Sequence, residues 1–208
     1  MSHDKIIGLY ERHARAFDRE RGRTLPEQPW LDRFLGFVPA SGTVLDVGCG
    51  MAEPIAAYVI ATGRAVVGLD ASHTLIGLCR TRFPEQEWIV GDMRVLALGR
   101  KFDGVLAWDS LFHLHLDAQR GMFARLAAHA RPGAPLLFTS GVSEGEAIGE
   151  YCGEPLYHAS LEPAEYERRL AAHGFAVRAH VVEDPACGCH TVWLATLDAG
   201  SGQPYSRT

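Results

Sequence analysis

Three short apolar segments of this sequence each end in an aspartate. They cover residues 44–46, 65–70 and 88–92, and the first runs directly into Gly48 and Gly50. If the segments are parallel strands, their carboxyl ends meet at one edge of a sheet, where Asp46, Asp70 and Asp92 would surround a shared pocket. Glycine lets a ligand approach the backbone closely, and carboxylates accept hydrogen bonds from hydroxyls and amines. The spacing therefore predicts a nucleotide-type binding pocket.

Two ligand classes compete for the first glycine turn. A dinucleotide fingerprint needs a third glycine at position 53, but the sequence has Glu53 there. A bulky acid obstructs close helix–strand packing and repels a pyrophosphate at the helix N-terminus. The competing pattern, an acid followed by G-x-G-x-G, departs only at Ala52. Because a ligand with an amino group and a sulfonium tolerates acids at this turn, the charge favours S-adenosylmethionine (SAM) over NAD.

Strand and helix patterns alternate through the chain and place these residues. Helices are expected at about 4–21, 29–37, 53–62, 72–83, 117–130 and 163–173, with Ser72 and Asp117 as predicted N-caps. Strands are expected at 43–47, 65–69, 87–91, 102–108, 134–140, 175–183 and 190–197. This alternation predicts an α/β fold, a doubly wound seven-stranded Rossmann-like sheet. The expected order is 3-2-1-4-5-7-6, with strand 7 antiparallel.

The segment 44–138 resembles a class I SAM-dependent methyltransferase of the small-molecule, methyltransferase-11/25-like kind. Five motifs occur in the family's order: the glycine turn 46–50, the strand end 68–72, the Gly-Asp-Met run 91–93, the fourth strand with its loop at 102–114, and the Arg-Pro-Gly-Ala turn 131–134. Tyr10, Ala14 and Phe17 resemble the N-terminal lid helix common in the group. Each motif alone is weak, and their order carries the resemblance.

The resemblance implies roles in cofactor binding. Gly48 and Gly50 would pass under the methionine moiety, and Asp46 would lie near its amino group. Asp70 would accept hydrogen bonds from both ribose hydroxyls, with Ala71 in the same motif.

The resemblance also implies roles for residues that bind the adenine and enclose the methyl group. Asp92 would accept from the adenine amine, and the Met93 backbone would face the ring edge. Trp108 would bound the pocket near the transferring methyl, and Tyr10 would close it from the lid. For Asp70 and Asp92, the competing interpretation is a cap on the following helix.

Methyl transfer from a sulfonium depends mainly on alignment and exclusion of water, and needs a general base only when the acceptor must lose a proton. Side chains that could contact the acceptor or act as a base lie in the loop after strand four and in residues 141–160. The candidate catalytic residues are His113, His115, Tyr151 and His158, with Asp109 and Tyr157 as further base candidates. Each also has a purely structural interpretation, as a packed histidine or an exposed loop residue.

The remaining sequence features concern metal binding, nucleic-acid binding, membrane insertion and cellular compartment. Cys187, Cys189 and His190 supply at most three metal ligands, so no metal is predicted. A net charge of −5 gives no electrostatic case for nucleic-acid binding, and no apolar run approaches the roughly 20 residues of a membrane helix. The odd count of five cysteines is typical of reduced thiols in a cytoplasmic protein.

The expected organisation is one domain over residues 1–198, with lid helices at 1–38, a substrate-lid insert of no clear period at 141–160, and a flexible tail at 199–208. The predicted function is methyl transfer from SAM to an O or N atom of a small-molecule acceptor, with S-adenosylhomocysteine (SAH) as product. Two alternatives stay open: a SAM- or SAH-binding protein without transfer activity, and an NAD-dependent oxidoreductase.

Overall fold

A computed structural model describes residues 5–199 and contains a seven-stranded mixed sheet. Its strands are β1 (Thr43–Val47), β2 (Ala65–Asp70), β3 (Glu87–Val90), β4 (Gly104–Ala107), β5 (Pro135–Ser140), β8 (Phe175–Asp184) and β9 (His190–Leu197). They lie in the order β3-β2-β1-β4-β5-β9-β8, and β9 is antiparallel to both neighbours. This confirms the predicted order and orientation. The predicted tail lies outside the described residues from position 200 onward.

Helices cover both faces of the sheet. They are α1 (Ile6–Glu20), α2 (Gln28–Leu35), α3 (Ile55–Ala61), α4 (His73–Arg82), α5 (Leu116–His129) and α6 (Pro163–Ala172). All six residues of β5 are buried, as expected for a strand covered on both faces. Phe123 of α5 packs on one face and Phe34 of α2 on the other, each fully buried. Burial of such a ring contributes about 1.5–3 kcal/mol.

Two predicted helix caps have different outcomes. The Ser72 hydroxyl accepts from the Leu75 amide at 3.1 Å, so Ser72 is the N-cap of α4 as predicted. The prediction of Asp117 as the cap of α5 was wrong, because α5 begins at Leu116 with His115 as its N-cap. The His115 ring Nδ1 accepts from the Asp117 amide, which leaves Asp117 in the first turn, where an acid is favoured.

Residues 141–160, which show no clear period in the sequence, contain an antiparallel hairpin. Strand β6 (Gly145–Tyr151) pairs with β7 (Glu154–Ser160). Cys152 and Gly153 form the two-residue turn, and both have positive φ, which suits the right-handed strand twist. The first six residues of β6 are all exposed, so neither face of that strand selects apolar side chains. The alternation that reveals a half-buried strand is therefore missing.

Helix α1 crosses the carboxyl edge of the sheet and is tied to its neighbours by polar contacts. Glu11 accepts from the hydroxyls of Ser72 (2.5 Å) and Thr74 (2.8 Å) at the start of α4. Asp18 accepts from Arg82 at the other end of α4 at 2.7 Å. These contacts hold α1 across the strand ends that carry the aspartates. No helix among residues 5–199 is long and apolar enough to cross a membrane.

Candidate functional site

A cavity of about 640 Å³ opens at the carboxyl edge of the parallel strands and is lined in part by α1. All nine residues predicted to bind the cofactor line it: Asp46, Gly48, Gly50, Asp70, Ala71, Asp92, Met93, Trp108 and Tyr10. Three of the four predicted catalytic residues, His113, His115 and His158, also line it. Tyr151 does not. The fold thus brings the predicted residues to one place, and their roles stay predictions.

The glycine turn after β1 is shaped by two different constraints. Gly48 has φ +81°, and a Cβ there would lie 2.4 Å from the Ser110 Cβ. The Ser110 hydroxyl donates to the Val47 carbonyl at 2.8 Å, so the loops after β1 and β4 are in direct contact. A Cβ at Gly50 (φ +55°) would meet only Phe17, at 3.4 Å. Gly48 therefore permits packing between loops, whereas Gly50 leaves space beside the cavity.

The carboxylates of Asp46, which is buried, and Asp70, which is partly buried, interact electrostatically behind this turn. Asp70 accepts from the Gly50 amide at 3.0 Å and from the Ser72 amide at 2.9 Å. Burial outweighs these hydrogen bonds and raises the pKa of Asp70 to about 6. Burial, and then the charge of Asp70, raises the pKa of Asp46 to about 7. Because two carboxylates in one pocket repel each other, the pocket favours a ligand that carries positive charge.

The carboxylate of Asp92 follows β3 and already has a partner. Its Oδ1 accepts from the Arg94 amide at 2.8 Å, and the Arg94 guanidinium donates to both carboxylate oxygens. Burial acts to raise the pKa of Asp92, but the hydrogen bonds from Arg94 outweigh it and the pKa is lowered. Asp92 thus caps the short 3-10 turn Met93–Val95, as its competing interpretation expects. A carboxylate has about four acceptor positions, and the four contacts from Arg94 use them, so an adenine amine would have to displace one of these contacts to bind Asp92.

Tyr10 and His113 join α1 to the loop after β4. The His113 Nδ1 lies 2.9 Å from the Tyr157 carbonyl, which can only accept, so this nitrogen carries the ring proton. Burial lowers the pKa of His113 to about 4, and the ring is neutral at physiological pH. Its Nε2 therefore accepts from the Tyr10 hydroxyl, 3.0 Å away. Burial raises the pKa of Tyr10, which keeps the phenol protonated.

The other predicted catalytic side chains surround this pair at different depths. The His158 ring lies 4.9 Å from the His113 ring, and burial lowers the pKa of His158. His115 caps α5 and lies 3.6 Å from Glu146 on the hairpin. The Tyr151 ring stacks on Tyr10 with a centroid distance of 6.2 Å, outside the cavity lining.

Sequence reasoning missed the pairing of Asp109 with His190. His190 begins β9, and its Nε2 lies 3.1 Å from Oδ2 of Asp109, the residue after Trp108 at the end of β4. Its Nδ1 lies 2.6 Å from the Cys187 carbonyl. Since both partners are acceptors, both ring nitrogens carry protons. The hydrogen bond to Asp109 is the main cause of the rise in the pKa of His190 to about 9.

A topological signal for this pair exists in the predicted fold. An antiparallel last strand begins at the sheet edge where the parallel strands end, so the first residue of β9 lies near the loop after β4. The sequence pattern instead groups His190 with Cys187 and Cys189, which are too few ligands to predict a metal site. Within residues 5–199, no group of three or more His, Cys, Asp or Glu side chains could hold a metal ion.

Comparisons with known proteins agree with this geometry. Residues 44–133 match a family model described as a methyltransferase domain. The chain is 33% identical over 96 residues to a dTDP-3-amino-3,6-dideoxy-alpha-D-glucopyranose N,N-dimethyltransferase from Streptomyces fradiae, covering 45% of this chain and 37% of the relative. It is 31% identical over 97 residues to a trans-aconitate 2-methyltransferase from Azoarcus sp. (strain BH72), covering 46% and 38%. The chain thus spans less than two-fifths of the length of these curated relatives.

A solved structure extends the similarity over most of the fold. The SAM-bound amino pentose methyltransferase from Micromonospora echinaspora superposes with a TM-score of 0.68 at 21% identity, over 90% of this chain and 96% of that one. The strand order and the pocket at the strand ends define a Rossmann-like methyltransferase fold. Within this fold, the segment 44–133 is the part of the chain that is similar in sequence to a methyltransferase domain.

Proposed function

We propose that this protein transfers a methyl group from SAM to an O or N atom of a small molecule and releases SAH. One observation carries the proposal: three neighbouring parallel strands each have an aspartate within two residues of their carboxyl end, and these aspartates line one cavity beside a glycine turn. SAM carries an ammonium and a sulfonium, so its charge complements this acidic pocket. The similarity of residues 44–133 to a methyltransferase domain supports the same conclusion.

The residues of the cavity fit this cofactor. In this proposal, Asp46 would pair with the amino group, and Asp70 would accept hydrogen bonds from the ribose hydroxyls. Gly50 leaves open space where the methionine moiety would pass. The indole Nε1 of Trp108 is buried with no hydrogen-bond partner among the described residues, so a ligand or water oxygen could satisfy it. When bound, SAM supplies an activated methyl group on a good leaving group.

The work of the chain's own residues is then to align the acceptor and exclude water. Helix α1 and the hairpin form the proposed lid, because Tyr10 bonds to His113 and Tyr157 of the hairpin packs against Ile6. The neutral His113 could accept a proton only if the Tyr10 hydroxyl moved away or relayed it. His158 lies at the same wall without that constraint. Both are proposed to act on the acceptor side.

The finer assignments also belong to this proposal. The single-domain organisation, the EC 2.1.1 subclass and a cytoplasmic location are predictions from the sequence. The curated relatives act, by their names, on an amino sugar nucleotide and on trans-aconitate. Both are small molecules, which supports a small-molecule acceptor. A SAM-binding protein without transfer activity would share the same cavity.

Calorimetric titration of the purified protein with SAH and with NADH tests the cofactor assignment. We expect saturable binding of SAH and none of NADH. Transfer of a labelled methyl group from SAM to a panel of small amines, phenols and carboxylic acids then separates an enzyme from a binding protein. Tight NADH binding without SAH binding would overturn the proposal, and SAH binding without any methylated product would favour the binding protein.

A further inference from the structure

The Asp109 carboxylate is held in a fixed position by two hydrogen bonds, and the backbone of Asp109 is held by a third. Its backbone amide donates to the Thr139 hydroxyl at 2.9 Å, which donates to Oδ1 of Asp109 at 3.1 Å. His190 donates to Oδ2. Asp109 has φ +46°, a backbone conformation that is uncommon for a residue other than glycine. A carboxylate fixed this firmly at a cavity wall suggests a directed contact with a ligand.

Asp109 also lies next to the place where the methyl group would be transferred. The following residue, Ser110, contacts Gly48 of the glycine turn, over which the methionine moiety is proposed to pass. Tyr10, on the lid side, experiences the charge of Asp109. The carboxylate thus lines the same cavity as the proposed cofactor turn and Tyr10 of the lid, and its side chain retains 36% exposure.

The cations of the cavity wall are already paired. Among the described lining residues, Arg21 donates to Glu27 at 2.9 Å, Arg94 to Asp92, and His190 to Asp109. Two carboxylates of the same wall are paired as well, Glu53 with Arg23 and Arg82 and Asp117 with Arg120, whereas Asp46 and Asp70 also line it. An anionic acceptor would find no uncommitted cation among these lining residues, and it would be repelled by the carboxylates of Asp46 and Asp70.

Building on the proposed function, we propose that Asp109 binds the acceptor nitrogen and that the acceptor is therefore an amine. The amine nitrogen would donate an N–H to Asp109 and point its lone pair at the methyl group. As the N–C bond forms, the C–S electron pair stays on sulfur, and the positive charge moves from sulfur to nitrogen. A fixed carboxylate stabilises the charge that develops there. The proton leaves the product ammonium afterwards to solvent. His190 is a positioning residue.

Sinefungin, an analogue of SAM, tests the proposed contact between Asp109 and an amine without knowledge of the acceptor. It carries an amino group on carbon in place of the S-methyl group, so its amine would lie beside Asp109. We expect the wild-type protein to bind sinefungin more tightly than SAH in calorimetry. Asp109→Asn should weaken sinefungin by about tenfold, since a charge-assisted hydrogen bond is lost, and change SAH affinity by less than about threefold. Asparagine tolerates positive φ, so Asp109→Asn is expected to keep the backbone conformation. If this variant fails to fold, Asp109→Gly replaces it in the same titrations. Asp117→Asn is the control, since it removes a carboxylate from the cavity rim.

The outcomes separate the two proposals. A selective loss of sinefungin affinity in the Asp109 variants, with both ligands unaffected by Asp117→Asn, supports the amine site. Equal losses for both ligands, or no loss for either, would overturn it while leaving the cofactor assignment intact. Absence of SAH binding to the wild-type protein would instead refute the proposed function, and the amine site with it.

Discussion

Replacing Asp70 by asparagine should separate ligand binding from stability. The carboxylate is proposed to accept two charge-assisted hydrogen bonds from the ribose, and bonds to charged groups contribute about 1.5–3 kcal/mol. Because each 1.4 kcal/mol is tenfold in affinity, we expect Asp70→Asn to weaken SAH binding by about 10- to 150-fold at pH 8.

The same substitution should not destabilise the fold. The pKa of Asp70 is raised to about 6 from an ordinary value of 3.8, mainly by burial. An acid with a raised folded-state pKa destabilises the native state as pH rises from the unfolded to the folded pKa, and that penalty persists above it. Asparagine removes this charge, and its carbonyl can still accept from one of the Gly50 and Ser72 amides, whereas its NH2 would face the other amide and offset part of the gain. We expect an unchanged or higher melting temperature.

Calorimetry with SAH and a thermal melt on the same samples measure both quantities. Asp117→Asn is a matched control, because its side chain is 80% exposed and it removes the same charge. Unchanged SAH affinity in Asp70→Asn would refute the ribose assignment. A fall in melting temperature together with the loss of binding would show that Asp70 acts mainly on the fold.

Three further predictions concern the glycine turn, the lid and pH. Gly48→Ala should destabilise the protein by about 1–3 kcal/mol in denaturant titration, because its Cβ would overlap Ser110 at positive φ; wild-type stability would contradict this. Tyr10→Phe should speed amide hydrogen exchange in α1, because it removes the hydrogen bond to His113. Unchanged exchange would show that this hydrogen bond does not hold α1 in place. SAM affinity should rise between about pH 5 and 8 as the two raised carboxylates, with pKa values of about 6 and 7, ionise, and a flat profile would refute that link.

The sheet and the acidic strand ends could be predicted because each depends on local sequence. A strand that is buried on both faces is a short apolar run, and the residue that follows it reaches the sheet edge. Asp46, Asp70 and Asp92 follow from this rule. Their roles do not, because the contact between Asp92 and Arg94 depends on side-chain geometry within one turn.

The acceptor side of the cavity depends on contacts between distant segments. Strand β6 has no buried face, so its sequence lacks a strand period. His190 meets Asp109 across 81 positions, through the placement of β9 beside β5. The residues next to Asp109 and His190 in the sequence therefore do not predict that the two side chains meet. His115 shows the same limit at short range, since a histidine took the capping position that the sequence pattern gave to Asp117.

The most direct test of the account is a crystal structure of the protein with SAH. We predict that the ribose hydroxyls lie within hydrogen-bond distance of Asp70, that the amino group lies near Asp46, and that the methionine chain crosses Gly50. A ligand bound elsewhere, or Asp70 and Asp46 without contact to it, would contradict the central claim.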